Sequence, residues 1–220
     1  MIEFGNHTAN GPIYFAAAGD VHDHFNRMEA LLAAWSQRRN LPLSFVLQVG
    51  DLQAVRDELD LQSVATPQKY RFLVDFHLRR QAGHAFPWPI YFIGGNHEPF
   101  AWLDQYPDGA ELMPGLHYLG RAGQVTLAGL RIAGLTGIHS FLREGVPRPP
   151  VDQILNRSRK HYTFHNYLDV EKAMDFERAD ILLLQSGHAA FWLMSPNQSG
   201  KTSCGVFPSS RNSAANKAAS

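Results

Sequence analysis

The chain has 220 residues, a formal net charge of zero and 45% hydrophobic residues. That is enough apolar material for one large domain, and the neutral balance excludes a protein that holds nucleic acid through a global positive field. The single cysteine, Cys204, rules out an intramolecular disulfide.

In chain order, an apolar run from Ile13 to Ala18 stops at Gly19-Asp20-Val21-His22. The run is far too short to span a membrane and no signal peptide precedes it, so a soluble, cytoplasmic protein with no membrane partner is expected. Phe25, Met28, Leu32 and Trp35 then recur at helical spacing. Phe45 to Val49 stops at Gly50-Asp51-Leu52, and Ile90 to Ile93 stops at Gly94-Gly95-Asn96-His97-Glu98. Short apolar runs ending at glycine read as buried strands of an α/β sheet. Between them, Thr66-Pro67 resembles an N-cap followed by a first-turn proline, with Tyr70, Leu73, Val74 and His77 as a buried helical stripe. His77 reads there as a core or boundary histidine. Leu116–Leu119, Val125–Ala128 and Arg131–Leu135 read as short strands, and Val146–Pro150, with three prolines, as an extended loop. Asp169–Arg178 is expected to be helical and Ile181–Leu184 to be a buried strand.

Open α/β sheets bind ligands beyond the carboxyl ends of their strands, so the three polar clusters should meet at one edge. Two carboxylates, two imidazoles and an amide oxygen suit divalent manganese, iron or zinc. A carboxylate shared by two ions about 4 Å apart is a common clamp for a phosphoryl group. Helix capping explains Asp20 or Asp51 taken singly, but not Asn-His-Glu after Gly-Gly.

G-D-x-H, G-D and G-N-H-E, in that order and at strand ends, resemble the calcineurin-like metallophosphoesterase superfamily. Residues 50–140 are similar to the RNA lariat debranching enzyme group, which cleaves 2′-5′ phosphodiester branches. The match runs from Gly50-Asp51-Leu52-Gln53 through Gly95-Asn96-His97-Glu98 to Gly129-Leu130-Arg131-Ile132-Ala133-Gly134. Eukaryotic members carry cysteine where this chain has Asp20, so the likeness is to the wider group.

The resemblance implies a layered α-β-β-α sandwich and a hydrolase using two divalent metal ions. Asp20, His22, Asp51 and Asn96 would be metal ligands, with Asp51 bridging, and a metal-bound hydroxide would attack phosphorus. His97 would be the catalytic acid for the leaving oxygen and Glu98 would hold His97 in orientation. The substrate would be a phosphoester, branched RNA being the nearest model. A nucleotide or protein phosphatase of the same superfamily, or a non-catalytic truncated remnant, are the alternative readings. His24 and His139 read as bystanders of the cleft. Arg143, Arg148, Arg157, Arg159 and Lys160 form either a local basic patch or a solvated loop.

The pattern weakens at the end of the chain. All 20 acidic residues precede Ile181. A uniform composition would place about four in the last stretch. The expected organisation is therefore a metallophosphoesterase domain over 1–185, incomplete at the C-terminus, and a low-complexity, disordered tail over 186–220. The superfamily should deliver a histidine after Ile181–Leu184 and a later Gly-His-x-His. Gln185 stands after that strand instead, and His188 is the last histidine of the chain. Missing imidazoles predict weak metal binding at the second position and a poor enzyme.

Overall fold

The computed structural model describes residues 12–143, 149–161, 179–185 and 190–194. The first of two sheets grows from the three apolar runs. Strands β1 (Tyr14–Ala18), β2 (Leu43–Val49) and β3 (Ile90–Ile93) lie side by side and parallel. β5 (Leu116–Tyr118) joins β3 in parallel, and β4 (Ala110–Met113) closes the edge antiparallel to it. The second sheet has the order β6 (Ala122–Leu127), β7 (Leu130–Leu135), β8 (Ile181–Gln185), β9 (Ala190–Met194).

The two sheets face each other across one apolar layer. Phe45, Leu47, Val49, Tyr91 and Ile93 of the first sheet meet Val125, Leu127, Ile132, Ile181 and Leu183 of the second. The other face of the first sheet is covered by α1 (Phe25–Arg39), α3 (Phe76–Gln81) and α4 (Phe100–Leu103), through Phe25, Met28, Leu32, Phe76, Phe100, Trp102 and Leu103, and α2 (Glu58–Ser63) lies beside α4. The parallel strands are the α/β sheet expected from the three glycine-terminated runs, and the two facing sheets are those of the sandwich that the resemblance implies. The helix expected over Asp169–Arg178 lies outside the described residues. β9 pairs antiparallel with β8 from Ile181↔Met194 to Gln185↔Ala190.

One strand is added and one local reading is corrected. β4 is added at the sheet edge, where Ala110–Met113 shows too little alternation to read as a strand. The helix expected after Thr66-Pro67 is broken: a 3-10 turn covers Gln68–Tyr70, and α3 (six residues) starts only at Phe76. Tyr70 is exposed and Phe76, not Tyr70, enters the core. The cause is tertiary. Asp23, fully buried, accepts hydrogen bonds from the backbone N–H of Val74 at 3.0 Å and of Phe76 at 2.7 Å. That long-range cap sets the helix start and overrides the local stripe.

Asp23→Ala is expected to lower unfolding free energy by about 1–3 kcal/mol, because the buried Phe76 N–H and the half-buried Val74 N–H lose their acceptor. Urea denaturation measures the loss. Amide exchange of residues 74–81 should accelerate selectively, and unchanged exchange there would show that α3 starts without Asp23.

Candidate metal centre

The parallel register brings the carboxyl ends of β1, β2 and β3 level, with Ala18 beside Gln48 and Val49 beside Ile93. The loops continue the ladder past the strands. Asp20 N–H donates to Gly50 O at 3.1 Å, His22 N–H to Asp51 O at 2.9 Å, and Asp23 N–H to Leu52 O at 3.0 Å. Five non-glycine residues here take left-handed backbone: Asp20 (φ 51), His22 (φ 47), Asp23 (φ 63), Asp51 (φ 52) and Gln53 (φ 57). Strain of this kind costs energy and persists only where the surroundings enforce it, commonly at functional sites.

The result is a cluster. Asp20, His22 and Asp51 each offer one ligand atom, and these atoms lie within 4.8 Å of one another. His97 stands next to it, its ring 5.5 Å from that of His22. Its backbone N–H donates to Asp51 Oδ1 at 2.8 Å. Asn96 is buried on the same loop, between Gly95 and His97. His24 is exposed, while His139 packs edge-on against Phe141. His77 is half-buried on α3. His188 lies outside the described residues.

The electrostatics follow from crowding. Burial, and next the Asp51 carboxylate, push the Asp20 carboxyl above its ordinary range. Two carboxylates pressed together are a natural divalent-cation site. Burial lowers the His97 imidazole, opposed by the nearby Asp51 and Asp20 and reinforced by His22 and Lys160.

Glu98 does not orient His97. Its carboxylate is fully buried and accepts from the backbone N–H of Leu52 (2.9 Å), Gln53 (2.9 Å) and Gly95 (3.2 Å). It ties the Asp51 loop to the Asn96 loop. Burial, then Asp51, push it up to about 8, against those three donors. The partner of His97 is Thr66, whose Oγ1 lies 2.8 Å from Nδ1. In sequence Thr66 has the pattern of a helix cap, and its pairing with His97 spans 31 residues, beyond local spacing. Gln53 was also unforeseen as a site residue: its Oε1 lies 3.0 Å from His22 Nδ1. A Nδ1–H donated to that oxygen leaves Nε2 as the lone-pair nitrogen for a metal.

The second sheet enters through Gln185. The inward positions of β8 are Ile181, Leu183 and Gln185, so period two aims Gln185 between the sheets. Gly50 and Gly95 make room for it. A Cβ on Gly95 would overlap both Gln185 Oε1 and Asp51 Oδ1, and one on Gly50, itself at φ +92, would come within 3.0 Å of Gln185 Cβ and overlap its amide. Gln185 Oε1 is buried without a hydrogen-bond partner among the described residues. An orphaned carboxamide oxygen against a carboxylate fits a cation, as does the carboxylate–imidazole donor set.

The basic patch is only partly realised. Arg159 Nη1 bonds Asp104 Oδ2 at 2.7 Å and is drawn into a buried ion pair, while Arg157 is exposed. Arg148 and the Arg143 side chain lie outside the described residues. No helix among the described residues is long and apolar enough to cross a membrane.

Comparison with known proteins gives the same direction. The model of the calcineurin-like phosphoesterase family matches residues 13–207. The chain is 37% identical over 149 residues to a lariat debranching enzyme of Gallus gallus, covering 66% of this chain and 28% of that protein. It is 36% identical over 149 residues to the Homo sapiens enzyme, covering 66% and 27%. It is 34% identical over 172 residues to the Arabidopsis thaliana enzyme, covering 76% and 40%. The chain thus spans well under half the length of these relatives. With the strand-end clusters assembled as described and the family match running through both sheets, the chain belongs to the calcineurin-like phosphoesterase family.

Proposed function

We propose that this chain is the catalytic part of a metal-dependent phosphodiesterase acting on a branched 2′-5′ linkage in RNA. The observation that carries the reading is the convergence of Asp20, His22 and Asp51 within 4.8 Å, with His97 alongside. The lariat debranching enzymes it resembles supply the substrate class.

Asp20, His22 and Asp51 would hold one divalent ion, and Asp51 with Asn96 a second. Bound divalent ions supply positive charge to phosphoryl oxygens and lower the pKa of coordinated water. The chain's own residues do the rest. Glu98 fastens the Asp51 and Asn96 loops to one another, so both ligand loops move as a unit. Gln53 holds His22 in one ring orientation. Thr66 and the backbone bond to Asp51 hold His97 beside the cluster, where it can give a proton to the leaving oxygen. Manganese is the metal we expect, given the preponderance of oxygen donors.

The test is hydrolysis, with manganese, of a 2′-5′ branched RNA beside a linear one. Faster cleavage of the branch is expected. His97→Ala should lower kcat by about 100-fold or more while leaving manganese affinity within threefold, since general acids contribute 10²–10⁴. Preference for linear RNA, for a mononucleotide or for a phosphoprotein would replace the debranching reading with a generic phosphodiesterase or phosphatase. No hydrolysis of any of them would favour a remnant.

A further inference from the structure

Gln185 is 5% exposed, yet its Oε1 has no hydrogen-bond partner among the described residues. The oxygen lies against Asp51 Oδ1, across the space that a Gly95 Cβ would fill. Gly50 and Gly95 both leave room for it, so the packing is built around this side chain and not merely tolerant of it. Two acceptor oxygens face one another in a buried place. Acceptors repel unless something positive lies between them.

We infer that Gln185 Oε1 is a ligand of the second divalent ion, completing an all-oxygen position with Asp51 and Asn96. The inference rests on the metallophosphoesterase reading and extends it to metal choice. The glutamine stands at the strand end where the sequence pattern led us to expect an imidazole. An imidazole-free position of one carboxylate and two carboxamides suits a hard ion such as manganese or magnesium and disfavours zinc. The site is therefore asymmetric. Its first position carries the His22 imidazole, and its second, among the described residues, holds only oxygen.

The rival arrangement has the amide turned over, so that Nε2–H donates to Asp51 and no ion is required. The two arrangements differ without any activity measurement. Gln185→Met keeps the volume and removes the oxygen. If Gln185 is a ligand, calorimetric titration of the full chain with manganese goes from two ions to one, or the second weakens at least tenfold, and the first is unchanged. The metal-free melting temperature then stays level or rises, because an orphaned acceptor is gone. If the amide donates to Asp51, manganese stoichiometry and affinity are unchanged and the metal-free melting temperature falls, which overturns the inference. Gln185→His provides the second arm: it should improve zinc relative to manganese at the second position by at least tenfold, and an unchanged ratio counts against us. Wild-type titration that stops at one ion overturns this inference alone. No binding of any ion overturns the metallophosphoesterase reading beneath it.

Discussion

Asp51→Ala is expected to abolish measurable manganese binding at both positions. Asp51 sits at the end of β2, which lies between β1 and β3, so its carboxylate is placed among the loops from all three. It shares the cluster with Asp20 and His22 on one side. On the other it receives the His97 N–H and faces Gln185. Removing a residue that only supports a ligand typically weakens a metal 10- to 100-fold, so removal of the carboxylate proposed to be shared should exceed that. The alanine also meets a backbone at φ 52, which costs additional stability. Asp51→Asn separates the effects. Asparagine tolerates the left-handed backbone and keeps an oxygen for the His97 N–H, but lacks the charge. Calorimetry should show loss of binding in both variants, with the melting temperature falling chiefly in the alanine. Undiminished binding in either would mean that the carboxylate does not bridge, and the two-ion reading would fall.

The parts of this site that could be read in the sequence share one property: each is announced by its immediate neighbours. An apolar run, a glycine and a carboxylate are contiguous for Asp20 and Asp51, and parallel pairing then gathers them without further information. Residues chosen by long-range geometry stayed hidden. Thr66 serves His97 from 31 positions away, and in sequence its capping pattern with Pro67 is indistinguishable from a true helix start. Asp23 decides where α3 begins from more than 50 positions away. Glu98 was assigned a role by analogy with carboxylate–imidazole pairs, whereas burial and three backbone donors make it a loop clasp. Gln185 was noticed only as a missing histidine. Its meaning depends on Gly50 and Gly95, and no local pattern links a glycine to the distant side chain that uses its space.

Asp104→Ala is expected to destabilise the protein by about 3–5 kcal/mol, the usual cost of stranding a buried charge. Asp104 closes α4 and its side chain is 1% exposed. Its Oδ1 receives Arg121 Nε at 2.8 Å, together with Arg121 Nη2, and its Oδ2 receives Arg159 Nη1 at 2.7 Å. Arg121 lies over the Phe100 ring at 4.3 Å and donates to Arg159 O at 2.8 Å. The carboxylate thus compensates two guanidinium groups, one of them only 4% exposed. Their removal in turn would not be equivalent: Arg159→Ala leaves Asp104 still paired with Arg121 and should cost less. The consequence reaches the metal centre through the chain. Arg159 anchors the segment whose next residue, Lys160, accepts the Ile138 N–H at 2.6 Å, and the Lys160 charge is felt by His97. Urea denaturation should place Asp104→Ala well below Arg159→Ala. Both variants should raise the KM for a phosphodiester more than they lower manganese affinity, because they displace the Lys160 strap and leave the ligand loops in place. A loss below about 1 kcal/mol for Asp104→Ala would show that the two arginines find solvent when unpaired, as exposed ion pairs do. The segment would then contribute little to holding Lys160 near the cluster.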